Sequence, residues 1–185
     1  RVLPVGRFSG CTPGGAGSST TNFVVILPPT VTGFAPAAAT VGTQITVAGT
    51  SLDSVTNATL NGQDVGAITH VNAAQIKFTV PAGASTGKIA VTNPANTGLS
   101  AAAFKVTPKV TGFSPLSATR GSTIEIDGSS FSGATKVVFG AVPSTSFSVD
   151  DDSTIHAVVP ATATTNKITV TTPGGADGRG SRVGE

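Results

Sequence analysis

The chain has 185 residues, with 11 Lys+Arg against 9 Asp+Glu, a net charge of +2 and only 11% charged residues, far below the roughly 25% of ordinary soluble proteins. So small a surplus of positive charge is no phosphate-binding patch, which sets aside a nucleic-acid binder; sparse charge with a mean hydropathy of +0.24 sets aside wholesale disorder; and no stretch approaches the roughly 20 apolar residues of a membrane span. Phe (9) is the only aromatic, Trp, Tyr and Met are absent, and the single cysteine, Cys11, excludes an internal disulfide and a Cys-rich metal site.

The chain opens Arg1-Val2-Leu3-Pro4 without the basic and apolar regions of a signal peptide, so a processed product or an excised fragment is expected. Residues 6–13 lie against 87–94 at an offset of 81, and Phe23-Val24-Val25 falls on Phe104-Lys105-Val106 at the same offset. Residues 1–27 therefore read as the last two strands of an incomplete preceding module, or as an assembly segment. Cys11 falls on a strand position there, as a small buried hydrophobe or as half of an intermolecular disulfide. Two strands without their sandwich cannot bury their apolar faces. Phe8, Phe23, Val24, Val25, Ile26 and Leu27 are then the candidate assembly interface: an exposed apolar strand completes a neighbouring subunit by strand addition, and head-to-tail addition builds a filament. The plainer reading is a fragment boundary, with this tail packed loosely on the next module.

From Val31 the sequence repeats. Val31-Thr32-Gly33-Phe34-Ala35-Pro36 returns as Val110-Thr111-Gly112-Phe113-Ser114-Pro115, an offset of 79; over residues 31–56, 12 of 26 positions match, and over 76–94, 11 of 19 do. Such identity defines a tandem repeat with a variable middle. Within each copy the pattern is β. The runs 44–48, 75–80, 88–92 and 123–127 alternate apolar and polar residues, rich in Val, Ile, Thr and Phe. Pro36, Gly42, Asn61-Gly62, Pro81-Ala82-Gly83 and Pro94 supply turns. Only 36–39 and 100–103 hint at helix, and both are too short to stand alone. Short strands at this spacing predict an all-β fold of tandem sandwiches: domain 1 over 28–107, domain 2 over 108–185, joined at 106–109 by a linker that Pro108 stiffens. The expected cores are Phe34, Ile45, Val47, Leu52, Leu60, Ile76, Phe78, Val80, Ile89 and Val91, then Phe113, Ile124, Ile126, Phe131, Val138, Ile155, Val159, Ile168 and Val170.

The motif runs Pro-x-Val-x-Gly-Phe-x-Pro, then Gly-[Thr/Ser]-x-Ile-x-[Val/Ile]-x-Gly-[Thr/Ser]-Ser-[Leu/Phe], then Val-Pro before a Lys-Ile-x-Val-Thr strand. It covers 29–52 with 80–94, and 108–131 with 159–175. In this it resembles the IPT/TIG module, an immunoglobulin-like sandwich found in bacterial surface and secreted proteins, receptor ectodomains, starch-acting enzymes and some transcription factors. The resemblance implies the fold, no catalytic residues and no cofactor; fold alone does not fix a role.

Few residues invite chemistry. Asp150, Asp151 and Asp152 form the only acidic run, a weak Ca²⁺ candidate that would need six to eight converging oxygens; the first copy has Asn72-Ala73-Ala74 there, which favours a solvated turn. His70 and His156 do not correspond under the repeat, so neither marks a shared site. Asn57-Ala58-Thr59 is a lone glycosylation sequon of a kind that chance supplies in a Thr-rich chain. Missing Trp and Tyr argue against stacking sugars. The sequence is thus read as a non-catalytic, extracellular or cell-surface structural or adhesive module whose partners are copies of itself, with surface glycans as further candidates. The alternative is a passive spacer or carbohydrate-binding accessory region of a secreted polysaccharide-acting enzyme.

Overall fold

The computed structural model describes residues 21–178 with their side chains and the backbone of residues 4–5, 9–12, 15–18 and 179. Ahead of the first module lie β1 (Pro4–Val5), β2 (Ser9–Thr12), β3 (Gly15–Ser18) and β4 (Phe23–Val24). The first module runs β5 (Thr30–Ala35), β6 (Ala38–Ala39), β7 (Gln44–Thr50), a 3₁₀ turn at Leu52–Ser54, β8 (Asn57–Leu60), β9 (Gln63–Asp64), β10 (Thr69–Asn72), β11 (Gln75–Thr79), β12 (Gly87–Thr92) and β13 (Thr97–Val106). The second runs β14 (Lys109–Ser114), β15 (Thr123–Ser129), β16 (Lys136–Phe139), β17 (Val142–Pro143), β18 (Phe147–Val149), β19 (Thr154–Val158), β20 (Ile168–Thr172) and β21 (Gly175–Arg179). β14, β15, β16, β17 and β19 begin and end 79 residues after β5, β7, β8, β9 and β11.

Each module is a two-sheet sandwich. In the first, β10-β11-β7-β5 faces β6-β13-β12-β8-β9; in the second, β18-β19-β15-β14 faces β21-β20-β16-β17. Alternation does the work the sequence expects: in β7, Ile45 and Val47 turn inward, and in β15, Ile124 and Ile126 do. Each module has its own apolar cluster, the first around Ile45, Leu60, Phe78 and Phe104, the second around Ile126, Phe131, Phe139 and Ile155.

The same bulge recurs in both copies, where β5 and β14 slip register between Val31 and Gly33 and between Val110 and Gly112. The strand opposite carries Gly49 or Gly128, where a Cβ would land on the carbonyl oxygen of Thr30 or Lys109. These glycines are needed for close backbone approach.

Two expectations about the core are corrected, and the two short stretches that hinted at helix hold strand instead. Residues 100–103 are not helical: they lie inside β13, where buried Ser100 accepts a hydrogen bond from the Ile89 N–H (3.0 Å) and donates one to the Ala102 carbonyl (2.7 Å). Residues 36–39 contribute the short strand β6 instead. Long-range pairing overrides a weak local preference for helix. Val138 is not in the core; its neighbours Val137 and Phe139 point inward, one residue out of phase with the expectation. Phe34 and Phe113 are half-buried and pack on the rims of their clusters rather than in the centres.

The N-terminal strands form two nested antiparallel ladders, Pro4↔Val24 with Val5↔Phe23, and Ser9↔Ser18 with Gly10↔Gly17, Cys11↔Ala16 and Thr12↔Gly15. The last hairpin of the first module pairs Ala90↔Leu99, Val91↔Gly98 and Thr92↔Thr97. Subtracting 81 from each of those numbers returns the β2–β3 register. Cys11 thus lies on a strand, opposite Ala16.

Candidate functional site

The joint between the modules is packed rather than open. Val106, the last residue of β13, is buried; its N–H donates to Thr86 Oγ1 (3.0 Å), and the next N–H, of Thr107, donates to the Ala39 carbonyl (3.0 Å). Pro108 is buried, and beyond it the Val110 N–H donates to Asp177 Oδ2 (2.8 Å) on β21. The β20–β21 turn closes on this crossing: a Cβ on Gly174 would land on the Val106 carbonyl oxygen. At the head of the first module the β12–β13 turn takes the same position. Asn93 Nδ2 donates to the carbonyl of Leu27 (2.8 Å), the residue 79 before Val106, and to Ser54 Oγ (2.9 Å).

The one imidazole with charged neighbours is His156, on the outer face of the second module. Its Nδ1 lies 2.8 Å from Asp150 Oδ2 and its Nε2 3.5 Å from Glu125 Oε2. Ser148 Oγ donates to the other Asp150 oxygen (3.2 Å). Register explains the grouping, since Glu125, His156 and Ser148 sit side by side across β15, β19 and β18. With a carboxylate oxygen within 3.5 Å of each ring nitrogen, the three side chains form a cross-strand polar cluster. The first module has Thr46 and Lys77 at the positions of Glu125 and His156. His70 is elsewhere, its Nε2 donating to the Val55 carbonyl (2.8 Å).

The acidic run is dispersed among local tasks. Asp150 holds His156. Asp151 Oδ1 accepts both the N–H and the hydroxyl of Ser153 (2.7 Å each), and these hydrogen bonds hold its carboxyl below the usual carboxylate range. Asp152 accepts the N–H groups of Ser130 and Ser132 (3.2 Å each) and ties the β15 loop to the β18–β19 turn. Among the described residues no three acidic, His or Cys side chains cluster as a metal set. Asn57 of the sequon is exposed and donates to Asp64 (3.2 Å).

Five of the six candidate assembly residues, 23–27, are consecutive. Phe8 lies outside the described residues. Phe23 (54% exposed) and Val24 (52%) are on β4, Val25 is half-buried, and Ile26 and Leu27 are exposed on the approach to β5.

A groove of about 540 Å³ opens at one end of the second module, lined by Phe113, Leu116, Ala118, Ile124, Phe139 and Ile168 among others. Sequence reasoning missed it. At the corresponding place in the first module, the second half of β13 fills the space. Phe104 is fully buried there, edge-on to Phe34 at 5.8 Å. β13 also runs parallel to β6, with Lys105 opposite Ala38 and Val106 opposite Ala39, and the Lys105 N–H donates to the Ala37 carbonyl (3.2 Å). Among the described residues, β21 ends at Arg179 and no strand matches β6. Val159 and Phe139 are each 8% exposed, and their counterparts Val80 and Leu60 are 1% and 0%. Leu116, at the rim, is 78% exposed. The one sequence signal was the contrast between Ala101–Val106 and residues 180–185, which the repeat alignment places together.

Family comparison agrees with this geometry, matching the IPT/TIG domain at residues 29–106 and again at 108–183. The chain belongs to the IPT/TIG family. No curated protein is similar enough in sequence to match this IPT/TIG pair. Among solved structures, the surface glycan-binding protein PbSGBP-B from Prevotella bryantii is similar at 19% identity and a TM-score of 0.53, over 81% of this chain and 41% of that one. SGBP-B from a xyloglucan utilization locus in Bacteroides uniformis aligns at 17% identity and TM-score 0.39, over 83% and 48%. The plexin A4 extracellular region aligns at 18% and 0.38, over 82% and 17%. The IPT/TIG pair spans less than half the length of these structures, and likeness at such identity shows the fold alone. Among the described residues no helix is long and apolar enough to cross a membrane.

Proposed function

We propose that this tandem IPT/TIG pair is a non-catalytic accessory segment of an extracellular, cell-surface carbohydrate-handling protein, serving as its spacer. The observation that carries this reading is the joint. Hydrogen bonds within each module hold the crossing, Val106 to Thr86 and Thr107 to Ala39 on one side and Val110 to Asp177 on the other, and the two modules meet where Gly174 and Gly175 close on the Val106 carbonyl, Thr86 and Thr107. A short, buried, hydrogen-bonded crossing with proline in it transmits position, as a spacer must. The similarity to PbSGBP-B supports the carbohydrate setting. The surface of this segment supports a role beside the sugar site rather than at it: it has no Trp or Tyr, and the described Phe rings other than Phe23 pack in or on the cores.

Affinity electrophoresis of the chain through gels containing xyloglucan or mixed-linkage glucan tests the assignment. The spacer reading expects unaltered mobility and no release of reducing ends. Retardation by either glucan would make the segment itself the binding module, and sugar release would end the non-catalytic reading.

A further inference from the structure

We propose that Asn61 is a modification site at which the folded chain converts asparagine to aspartate and isoaspartate without an enzyme, and that Ser85 sets the rate. The inference stands apart from the spacer reading. Asn61-Gly62 is the only Asn-Gly pair in the chain. Glycine is the follower that least hinders attack of its own nitrogen on the preceding carboxamide, because it carries no side chain. The fold uses the pair for a different reason. Only two residues join β8 to β9, with Leu60 opposite Gln63, and Asn61 (φ 48°) and Gly62 (φ 88°) take the left-handed conformations of a type I′ turn. The reactive pair is therefore built into the hairpin, and both residues are exposed to water.

The nucleophile and the electrophile are placed differently. A Cβ on Gly62 would meet nothing, so the approach to its nitrogen is open. The carboxamide is seated. Asn61 Nδ2 donates to Ser85 Oγ (2.8 Å), the Asn61 N–H donates to the Lys88 carbonyl (2.9 Å), and a Cβ on Gly87 would land on Asn61 Cγ and Oδ1. Ring closure needs the Asn61 side chain to turn out of this seat and present Cγ to the Gly62 nitrogen. That nitrogen gives its proton to hydroxide and bonds to Cγ; the Cγ–Nδ2 bond breaks, and ammonia leaves with a proton taken from water. Water then opens the succinimide. Attack at Cγ gives aspartate, and attack at the main-chain carbonyl carbon of residue 61 gives isoaspartate. Ammonia is lost, one water is consumed and nothing is oxidised.

The second module supplies an internal reference. Seventy-nine residues on, Gly140-Ala141 replaces Asn61-Gly62 and Asn166 replaces Gly87. The Asn166 side chain lies over Gly140, where a Cβ would meet its Nδ2 at 2.8 Å, so a carboxamide fills the same place from the other side. Its follower is Lys167, which bears a side chain and whose N–H donates to Asn166 Oδ1 (2.8 Å). Asn93 precedes Pro94, which has no N–H to give up. In Asp127-Gly128 the Gly128 N–H is engaged by the Ser153 carbonyl (2.8 Å). Asn61 is thus the position where an exposed carboxamide, a glycine follower and an open approach coincide. Isoaspartate there lengthens the main chain inside a two-residue turn, beside the fully buried Leu60.

Peptide mapping of the full chain, kept folded at mildly alkaline pH in heavy-oxygen water, tests this, with isoaspartate separated from aspartate by chromatography. The parent is expected to take up label at residue 61 ahead of every other asparagine, with isoaspartate among the products and a rate that rises with pH. Ser85→Ala should speed conversion about two- to tenfold, the shift in population that one neutral hydrogen bond holds back. Ser85→Thr, which keeps the hydroxyl, should restore the parent rate. Ile76→Val lowers the stability of the first module from the sheet opposite and should leave the rate unchanged. Label at Asn166 or another asparagine before Asn61 would overturn the proposal, as would no label at residue 61 in either parent or Ser85→Ala. Equal rates in parent and Ser85→Ala would remove Ser85 as the control. Acceleration by Ile76→Val to the same extent as by Ser85→Ala would mean that the reaction runs through unfolding of the module and would equally overturn it.

Discussion

Asp151 and its neighbours show how little a run of like residues says about chemistry. Asp151 is fully exposed, yet it accepts two hydrogen bonds from Ser153, which favour the carboxylate and lower its pKa. A group whose folded pKa is depressed adds stability above its unfolded pKa and loses it as pH falls through the folded one. Replacing Ser153 with Ala, which keeps the N–H but removes the hydroxyl, should therefore move the Asp151 titration, followed by NMR of its carboxyl carbon, part of the way back up; an unchanged titration would show that the hydroxyl is not the cause. At the same scale, Gly128 faces the Lys109 carbonyl across the bulge, and the Phe131 ring leaves a new Cβ no other space. Gly128→Ala should cost about 1–3 kcal/mol in denaturant unfolding, the usual range for overpacking. The glycine was legible as part of the repeat; its reason was not, because the carbonyl it meets comes from a strand whose bulge leaves no mark in sequence.

β13 and β16 are the elements that local pattern misread. In β13 an alanine run hid a ten-residue strand, and what fixes it is distant: Ser100 holding the Ile89 N–H, β6 alongside, and Phe104 buried against Phe34. In β16 three successive apolar residues, Val137, Val138 and Phe139, give no period-2 signal, so phase could come only from the pairing with β20, Val137↔Val170 and Phe139↔Ile168. The strands that alternate cleanly, β7, β11, β12 and β15, were legible with their inward faces. The phase of β16 makes a paired prediction. Val137→Ala should destabilise the second module by about 2 kcal/mol, for two buried methyl groups and the void they leave. Val138→Ala, on the half-exposed face, should stay within about 0.5 kcal/mol. Equal losses would mean the register is wrong. Phe104→Ala should cost the first module about 3–5 kcal/mol, because no neighbour can refill the end of that sandwich.

At the scale of the whole chain, the joint decides whether two modules behave as one object. Sequence indicated a stiff linker from Pro108, but stiffness here comes from contacts that no linker composition reveals. The β20–β21 turn, almost seventy residues downstream, closes over Val106, and Asp177 reaches back to the Val110 N–H. Gly174 is the tightest point. Alanine there must either lift the turn or displace the Val106 carbonyl, which would also break the Val106–Thr86 hydrogen bond. Neither apolar cluster includes Gly174, so both sandwiches should keep their folds while their coupling falls. Gly174→Ala should split a shared thermal transition into two. Asp177→Ala, which frees the Val110 N–H inside the second module just beyond the crossing, should add less to the double variant than it costs alone. The expected shortfall is about 0.5–3 kcal/mol, the range for residues that share a contact network. Small-angle scattering should show a broader spread of end-to-end distances in the same order, double variant beyond single beyond parent. If the double variant unfolds and scatters as the parent does, the modules are linked by the chain alone, and the mechanical argument for a spacer fails with them.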